Sequence, residues 1–262
     1  MNTVILAVIL VAGIGLIAGL ILSIASAVMA VKTDENVEAL RAELPGANCG
    51  ACGYSGCDGY AEALAKGESK PGLCAPGGEE VNTKLGEILG VGVEATEPKV
   101  AVVKCNGTCE HVGNKMHYTG ISTCKAANML YSGTLACNFG CLGFGDCAKA
   151  CQYGAISVAD GKATVDKSKC TACTACVNTC PKSIIEMMPK SKTYAKVVCS
   201  NKDKGAAARK VCEVACIGCG KCVRACEYGA VTVENNLARI DPSKCVACGK
   251  CVEACPDKCI TF

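Results

Sequence analysis

Cysteine is the residue type that could do chemistry in this chain, and its spacing says which chemistry. Of 262 residues, 26 are Cys. Three runs share one spacing: Cys170-x2-Cys173-x2-Cys176-x3-Cys180-Pro181, Cys216-x2-Cys219-x2-Cys222-x3-Cys226 and Cys245-x2-Cys248-x2-Cys251-x3-Cys255-Pro256. Cysteines this close along the chain bridge each other poorly, so the pattern does not suit a disulfide scaffold. It suits several thiolates converging on one inorganic cluster, with three Cys of one run sharing a [4Fe–4S] centre with the fourth Cys of the other. The expected sets are Cys216, Cys219 and Cys222 with Cys255; Cys245, Cys248 and Cys251 with Cys226; and Cys170, Cys173 and Cys176 with Cys151. Zinc held by four Cys is the competing chemistry.

The runs belong to a duplication. Nine cysteines recur at an offset of 75 residues: Cys124, Cys137, Cys141, Cys147, Cys151, Cys170, Cys173, Cys176 and Cys180 match Cys199, Cys212, Cys216, Cys222, Cys226, Cys245, Cys248, Cys251 and Cys255. Between the two motifs of each copy the pattern predicts a β-hairpin, turning at Asp160-Gly161 in the first and at Asn235-Asn236 in the second. One motif is irregular. Phe144 stands where the second copy has Cys219, which leaves Cys141, Cys147 and Cys180 one thiolate short. Cys137 is the expected fourth ligand. An alternative gathers Cys105, Cys109, Cys124 and Cys137 into a sixth cluster and leaves a [3Fe–4S] centre at the irregular site.

A separate set precedes the duplication. Cys49, Cys52, Cys57 and Cys74 follow the spacing C-x2-C-x4-C-x16-C among glycines that let the backbone fold tightly around a cluster. Five [4Fe–4S] clusters are thus expected. Cys105, Cys109, Cys124, Cys199, Cys212 and Cys259 remain, each with the simplest role of a small buried apolar residue. His111 and His117 flank nothing at ligand spacing.

These sites need elements to hold them. With three Phe, seven Tyr and no Trp, ordinary core packing is thin, and metal coordination must supply part of the stability. From Thr3 to Val31 no residue is charged, a run long enough to span a bilayer as one helix and too long for a signal-peptide core. Gly15, Gly19, Ser23 and Ala27 recur on one face, as in helices that approach a membrane partner closely. No ionisable group lies in the span, so it offers no ion path of its own. Lys32 and Arg41 follow it, placing the remainder in the cytoplasm. Next, Val37, Leu40 and Leu44 share one face of a short helix that Thr33 or Asp34 can cap and Pro45-Gly46 ends. The expected fold class is α+β: a transmembrane anchor (1–32), a small, mostly helical [4Fe–4S] domain (33–98), and two tandem bacterial-type 2[4Fe–4S] ferredoxin-like units. These occupy 99–189, with a cysteine-containing insertion, and 190–262. Net charge is +3 without a long basic run, so nucleic acid is not an expected partner. Gly90-Val-Gly92 lacks the third glycine and βαβ setting of a dinucleotide site, so NAD is expected to bind elsewhere.

The uncharged span, then Cys49-Gly-Ala-Cys52-Gly-Tyr-Ser-Gly-Cys57-Asp-Gly-Tyr-Ala-Glu-Ala and Cys74-Ala-Pro-Gly-Gly, then ferredoxin motifs ending Cys255-Pro-Asp-Lys-Cys259-Ile, together resemble the B subunit of the Rnf ion-translocating electron-transport complex. The resemblance covers essentially the whole chain. It implies a single-pass plasma-membrane protein that takes electrons from reduced soluble ferredoxin and relays them to membrane partners, while the complex couples electron flow to NAD with Na⁺ or H⁺ transport. Its simplest members have one ferredoxin unit where this chain has two. The alternative is an electron-transfer subunit of another membrane oxidoreductase, such as a hydrogenase.

Overall fold

The computed structural model describes residues 2–28, 35–93 and 97–262. Helix α1 (Asn2–Val28) is built almost wholly from aliphatic residues and glycine. Its window Val8–Ala25 has a mean hydropathy of 2.8, and none of it is buried against the rest of the protein. By length and composition it can cross a bilayer. Lys32, the caps expected at Thr33 or Asp34, and the boundary drawn at 32/33 lie outside the described residues.

Three helices follow. α2 (Glu35–Glu43), α3 (Cys57–Ala65) and α4 (Gly78–Leu89) close over one small core. Leu40 on α2, Tyr60 and Leu64 on α3 and Leu85 on α4 are fully enclosed, with Leu44, Cys57 and Cys74 beside them. The helical period of Val37, Leu40 and Leu44 produces this packing directly. Gly90 ends α4 in the left-handed conformation, with Val91 N–H donating to Gly86 C=O at 3.0 Å. That is a glycine helix stop and accounts for the Gly90-Val-Gly92 pattern.

The remainder mixes short helices with four two-stranded antiparallel sheets. β1 (Lys99–Val103) reaches across the first copy to β4 (Ile185–Pro189) and encloses the hairpin of β2 (Ile156–Ala159) and β3 (Lys162–Val165). The second copy repeats the plan: β5 (Lys196–Val197) pairs with β8 (Ile260–Thr261), around the hairpin of β6 (Val231–Glu234) and β7 (Leu237–Ile240). Both hairpins turn on two residues of positive φ, Asp160 with Gly161 and Asn235 with Asn236. That is the turn whose twist matches the strands. The cores of both copies are lined by small aliphatic residues and by cysteines, Cys141, Cys147 and Cys176 in the first and Cys216, Cys222, Cys245 and Cys251 in the second.

The described helical core of 35–93 shares no strand with the rest. Leu40→Ala should therefore destabilise it by about 2–5 kcal/mol. Hydrogen exchange should show faster opening of α2 to α4, with the β6–β7 hairpin unchanged.

Candidate metal centres

Each ferredoxin-like motif is a loop wound into a short helix. The helices are α6 (Asp146–Lys149), α7 (Ala175–Thr179), α9 (Lys221–Ala225) and α10 (Lys250–Glu253), and each carries the Cys at its motif's third position (Cys147, Cys176, Cys222 and Cys251) as the second helical residue. They follow α5 (Cys124–Met129) and flank α8 (Gly205–Val211) in the chain. In all four loops the residues two and four after the first Cys have positive φ: Gly143 and Gly145, Ala172 and Thr174, Gly218 and Gly220, Ala247 and Gly249. Alternating left-handed residues turn successive N–H groups to one side, a concavity suited to anionic sulfur. At Gly143 a Cβ would fall 2.7 Å from Gly161 O, and at Gly218 2.7 Å from Asn236 O, so the hairpin turn locks each loop at a glycine.

Backbone N–H groups point at the sulfurs. Ala101 donates to Cys170 Sγ at 3.5 Å, Ala155 to Cys151 Sγ at 3.3 Å and Ala238 to Cys216 Sγ at 3.5 Å. Such bonds orient a ligating thiolate and tune what it holds. Cysteines also line pockets of nearly equal size that are partly open to solvent. Cys151, Cys170, Cys173 and Cys176 border an empty volume of about 330 Å³. Cys216, Cys219, Cys222 and Cys255, joined by Cys259, border another of about 330 Å³. Cys226, Cys245, Cys248 and Cys251 border one of about 320 Å³. Cys259 Sγ lies 3.5 Å from Cys255 Sγ, a neighbour that the motif spacing did not reveal.

The amino-terminal set is held by polar side chains. Asn48 Oδ1 accepts from Cys57 N–H at 2.8 Å. Buried Asn82 brackets Cys74, accepting from its N–H at 3.3 Å and donating to its C=O at 3.2 Å. Burial, and then the neighbouring Cys57, Cys49 and Cys52, hold the Cys74 thiol above its usual range. All four thiols thus share one neighbourhood.

At the irregular motif, for which Cys137 is the expected fourth ligand, the packing brings in a second cysteine. Phe144 turns its ring onto Tyr118, centroids 5.8 Å apart, and packs with Leu142 against Cys124 and Ala127 of α5. Lys125 N–H donates to Asp146 Oδ2 at 3.0 Å, fastening the start of α5 to the start of α6. Cys124 thus packs beside this motif, and Cys105 Sγ also meets it, accepting from Cys141 N–H at 3.4 Å. Burial pushes the Cys147 thiol up to about 12, with Cys141, Cys124 and Cys180 adding to it. The Cys137 sulfur accepts from Asn201 Nδ2 at 3.6 Å and shares a wall with Cys105, Cys199 and Cys212. His111 meets Thr108 Oγ1 at 2.7 Å, His117 is exposed, and Cys109 is exposed by the first hairpin turn.

The donor set is chemically suited to iron–sulfur clusters. Asp257 is the one carboxylate on these walls; the other groups with metal affinity are thiols, and N–H donors face several of them. Among the described residues no three His, Cys, Asp or Glu side chains stand close enough to grip a single ion. A tetrahedral Zn–Cys₄ site would bring sulfurs to about 3.8 Å of one another. Sulfurs ringing a void instead match a larger inorganic core. Burial holds the Cys147, Cys176 and Cys222 thiols above their usual range, whereas the hydrogen bond with Cys259 lowers Cys216 and Cys255 to about 6 each; a cationic core would favour the thiolate at every one of them.

Residues 44–76 match a family described as an Fe–S cluster. Residues 169–231 and 215–259 match two families described as 4Fe-4S dicluster domains. The first of these two runs from one copy into the next, whereas the three cavities of the motif cysteines each close within a copy. The chain is 43% identical to the B subunit of the Na(+)-translocating ferredoxin:NAD(+) oxidoreductase complex of Acetobacterium woodii, over 94% of this chain and 74% of that one. It is 40% identical to the B subunit of the ion-translocating oxidoreductase complex of Methanosarcina acetivorans, over 95% and 94%. It is also 40% identical to the B subunit of the proton-translocating ferredoxin:NAD(+) oxidoreductase complex of Clostridium ljungdahlii, over 93% and 86%.

Asn82→Ala leaves the Cys74 N–H and C=O buried without their partners. It should cost about 1–3 kcal/mol of local stability, read as faster hydrogen exchange across 73–82 in the purified chain.

Proposed function

We infer the detailed role of this chain from one premise: it belongs to the B-subunit family of the ion-translocating ferredoxin:NAD(+) oxidoreductase complexes, and is an iron–sulfur electron-transfer component of such a complex. The observation that carries the reading is the match between motif and cavity, since the cysteines that spacing groups together border separate voids of about 320 to 330 Å³.

On this reading five [4Fe–4S] sites have the following ligands. Cys49, Cys52, Cys57 and Cys74 form the amino-terminal site. Cys151 joins Cys170, Cys173 and Cys176, and Cys255 joins Cys216, Cys219 and Cys222. Cys226 joins Cys245, Cys248 and Cys251. At the irregular motif Cys124 joins Cys141, Cys147 and Cys180, supported by the docking of α5 on α6.

Bound clusters supply one-electron redox chemistry. The chain's own groups do the rest. Thiolates hold, backbone N–H groups set the charge that each sulfur can bear, and aliphatic walls exclude water. Cys219 and Cys248 are exposed, so the carboxy-terminal unit is the proposed docking place for reduced soluble ferredoxin. At the other end, Cys173 and, from the amino-terminal site, Cys49 and Cys74 all act on Tyr153, whose phenol is held above its usual range chiefly by burial. Tyr153 thus adjoins both sites, which favours electron exit through the amino-terminal site. Helix α1 is the proposed single-pass plasma-membrane anchor, with the cluster-bearing domains (33–98, 99–189 and 190–262) on the cytoplasmic side and the other subunits of the complex as partners.

Two outcomes check the ligand sets on the anaerobically purified chain. Cys52→Ala should remove about four irons per chain and leave the electron paramagnetic resonance signals of the other clusters in place; unchanged iron would exclude that site. Cys124→Ser should likewise lose about four irons, and adding Phe144→Cys, which restores the regular motif, should recover them. Full iron in the single variant would show that Cys124 is not a ligand.

A further inference from the structure

We propose that Cys105, Cys137, Cys199 and Cys212 bind a sixth [4Fe–4S] cluster, set between the two ferredoxin-like units. The proposal rests on reading the other cysteine-lined voids as cluster sites. These four residues border an empty volume of about 370 Å³, close to the 320 to 330 Å³ of the motif sites. Cys137, Cys199 and Cys212 are buried. The sulfurs face each other across two glycines. A Cβ on Gly140 would stand 3.7 Å from Cys137 Sγ and 3.8 Å from Cys105 Sγ, and one on Gly107 would stand 3.5 Å from Cys212 Sγ and 3.8 Å from Cys105 Sγ.

The sulfurs are also dressed as ligands are. Cys105 Sγ accepts from Cys141 N–H at 3.4 Å, and Cys199 Sγ accepts from Asn201 N–H at 3.5 Å and Cys216 N–H at 3.3 Å. With the Asn201 amide on Cys137, donors converge on three of the four thiols, as expected around a held cluster. Without metal the site is hard to ionise. Burial pushes the Cys199 and Cys212 thiols each up to about 11, and Cys137 opposes both.

Four separate segments deliver these residues. Cys105 follows β1, Cys137 lies in the insertion, Cys199 follows β5, and Cys212 ends α8. Contacts between the units hold them in place: Ser200 Oγ donates to Lys104 C=O at 2.8 Å, and Glu213 N–H to His111 C=O at 3.2 Å. The duplication therefore put paired cysteines to different uses. Cys124 serves the irregular motif, while its counterpart Cys199 joins Cys137 and Cys212 at the seam.

Position gives the site its use. Its ligand sulfurs accept hydrogen bonds from Cys141 and Cys216, which open the first motif of each unit. An electron crossing here oxidises the cluster of one unit and reduces that of the other by one electron in turn, with no bond made or broken. The two units thereby become one continuous conductor.

Iron and acid-labile sulfide per chain, with zinc, should be measured on the reconstituted, anaerobically purified full chain and on Cys105→Ser, Cys212→Ser and the exposed control Cys109→Ser. Six clusters predict about 24 irons in the parent, about four fewer in each of Cys105→Ser and Cys212→Ser, and no loss in Cys109→Ser. Full iron in either seam variant, or zinc in the parent that disappears from both, overturns the proposal. Should the variants fail to fold, the parent decides: about 24 irons supports the sixth site and about 20 contradicts it. A parent without iron would instead defeat the reading of every site.

Discussion

Coordination of buried thiolates is the interaction on which the structure depends. In the two ferredoxin-like units the cores are lined by cysteines among Ala, Val, Ile and Leu, and the whole chain has only three Phe and no Trp. Walls this thin surround voids that side chains do not fill. Filling them with an inorganic core replaces the missing packing, and it turns mutually repelling thiols into ligands. Folding and redox function thus use the same bonds.

The backbone is shaped to that end. Four loops repeat one alternation of left-handed residues, and each delivers its third Cys to the start of a short helix, where N–H groups lack partners within the helix. The hairpins then press on the loops from one side. Gly143 and Gly218 sit against the turns at Gly161 and Asn236 with no room for a Cβ, so the strands serve as braces for the sites. Membership of the B-subunit family gives this arrangement its setting in an electron-transfer complex, and decides against a hydrogenase-type component.

Much of this was legible in the sequence because it is local. The 75-residue duplication, the turns at Asp160-Gly161 and Asn235-Asn236, the buried face of Leu40 and Leu44, and the motif groupings all depend on short-range spacing. What spacing does not carry depends on tertiary approach. Replacement of a ligand by Phe144 announced a gap, and the packing of that ring on Tyr118 and α5 brings Cys124 near it, a neighbour that spacing did not indicate. Cys105 and Cys199 carry no motif, and they meet because β1 and β5 end at the seam. Left-handed Ala172, Thr174 and Ala247 were also invisible, since glycine usually signals that conformation and here the loop closure imposes it.

Whether the thiols hold cubane clusters rather than single ions is tested most directly by Mössbauer spectroscopy on the full chain, produced anaerobically with the Mössbauer-active iron isotope. Nearly all the iron should appear as delocalised mixed-valence pairs in sulfur coordination. Spectra dominated by isolated high-spin iron in single tetrathiolate sites would contradict the cluster assignment.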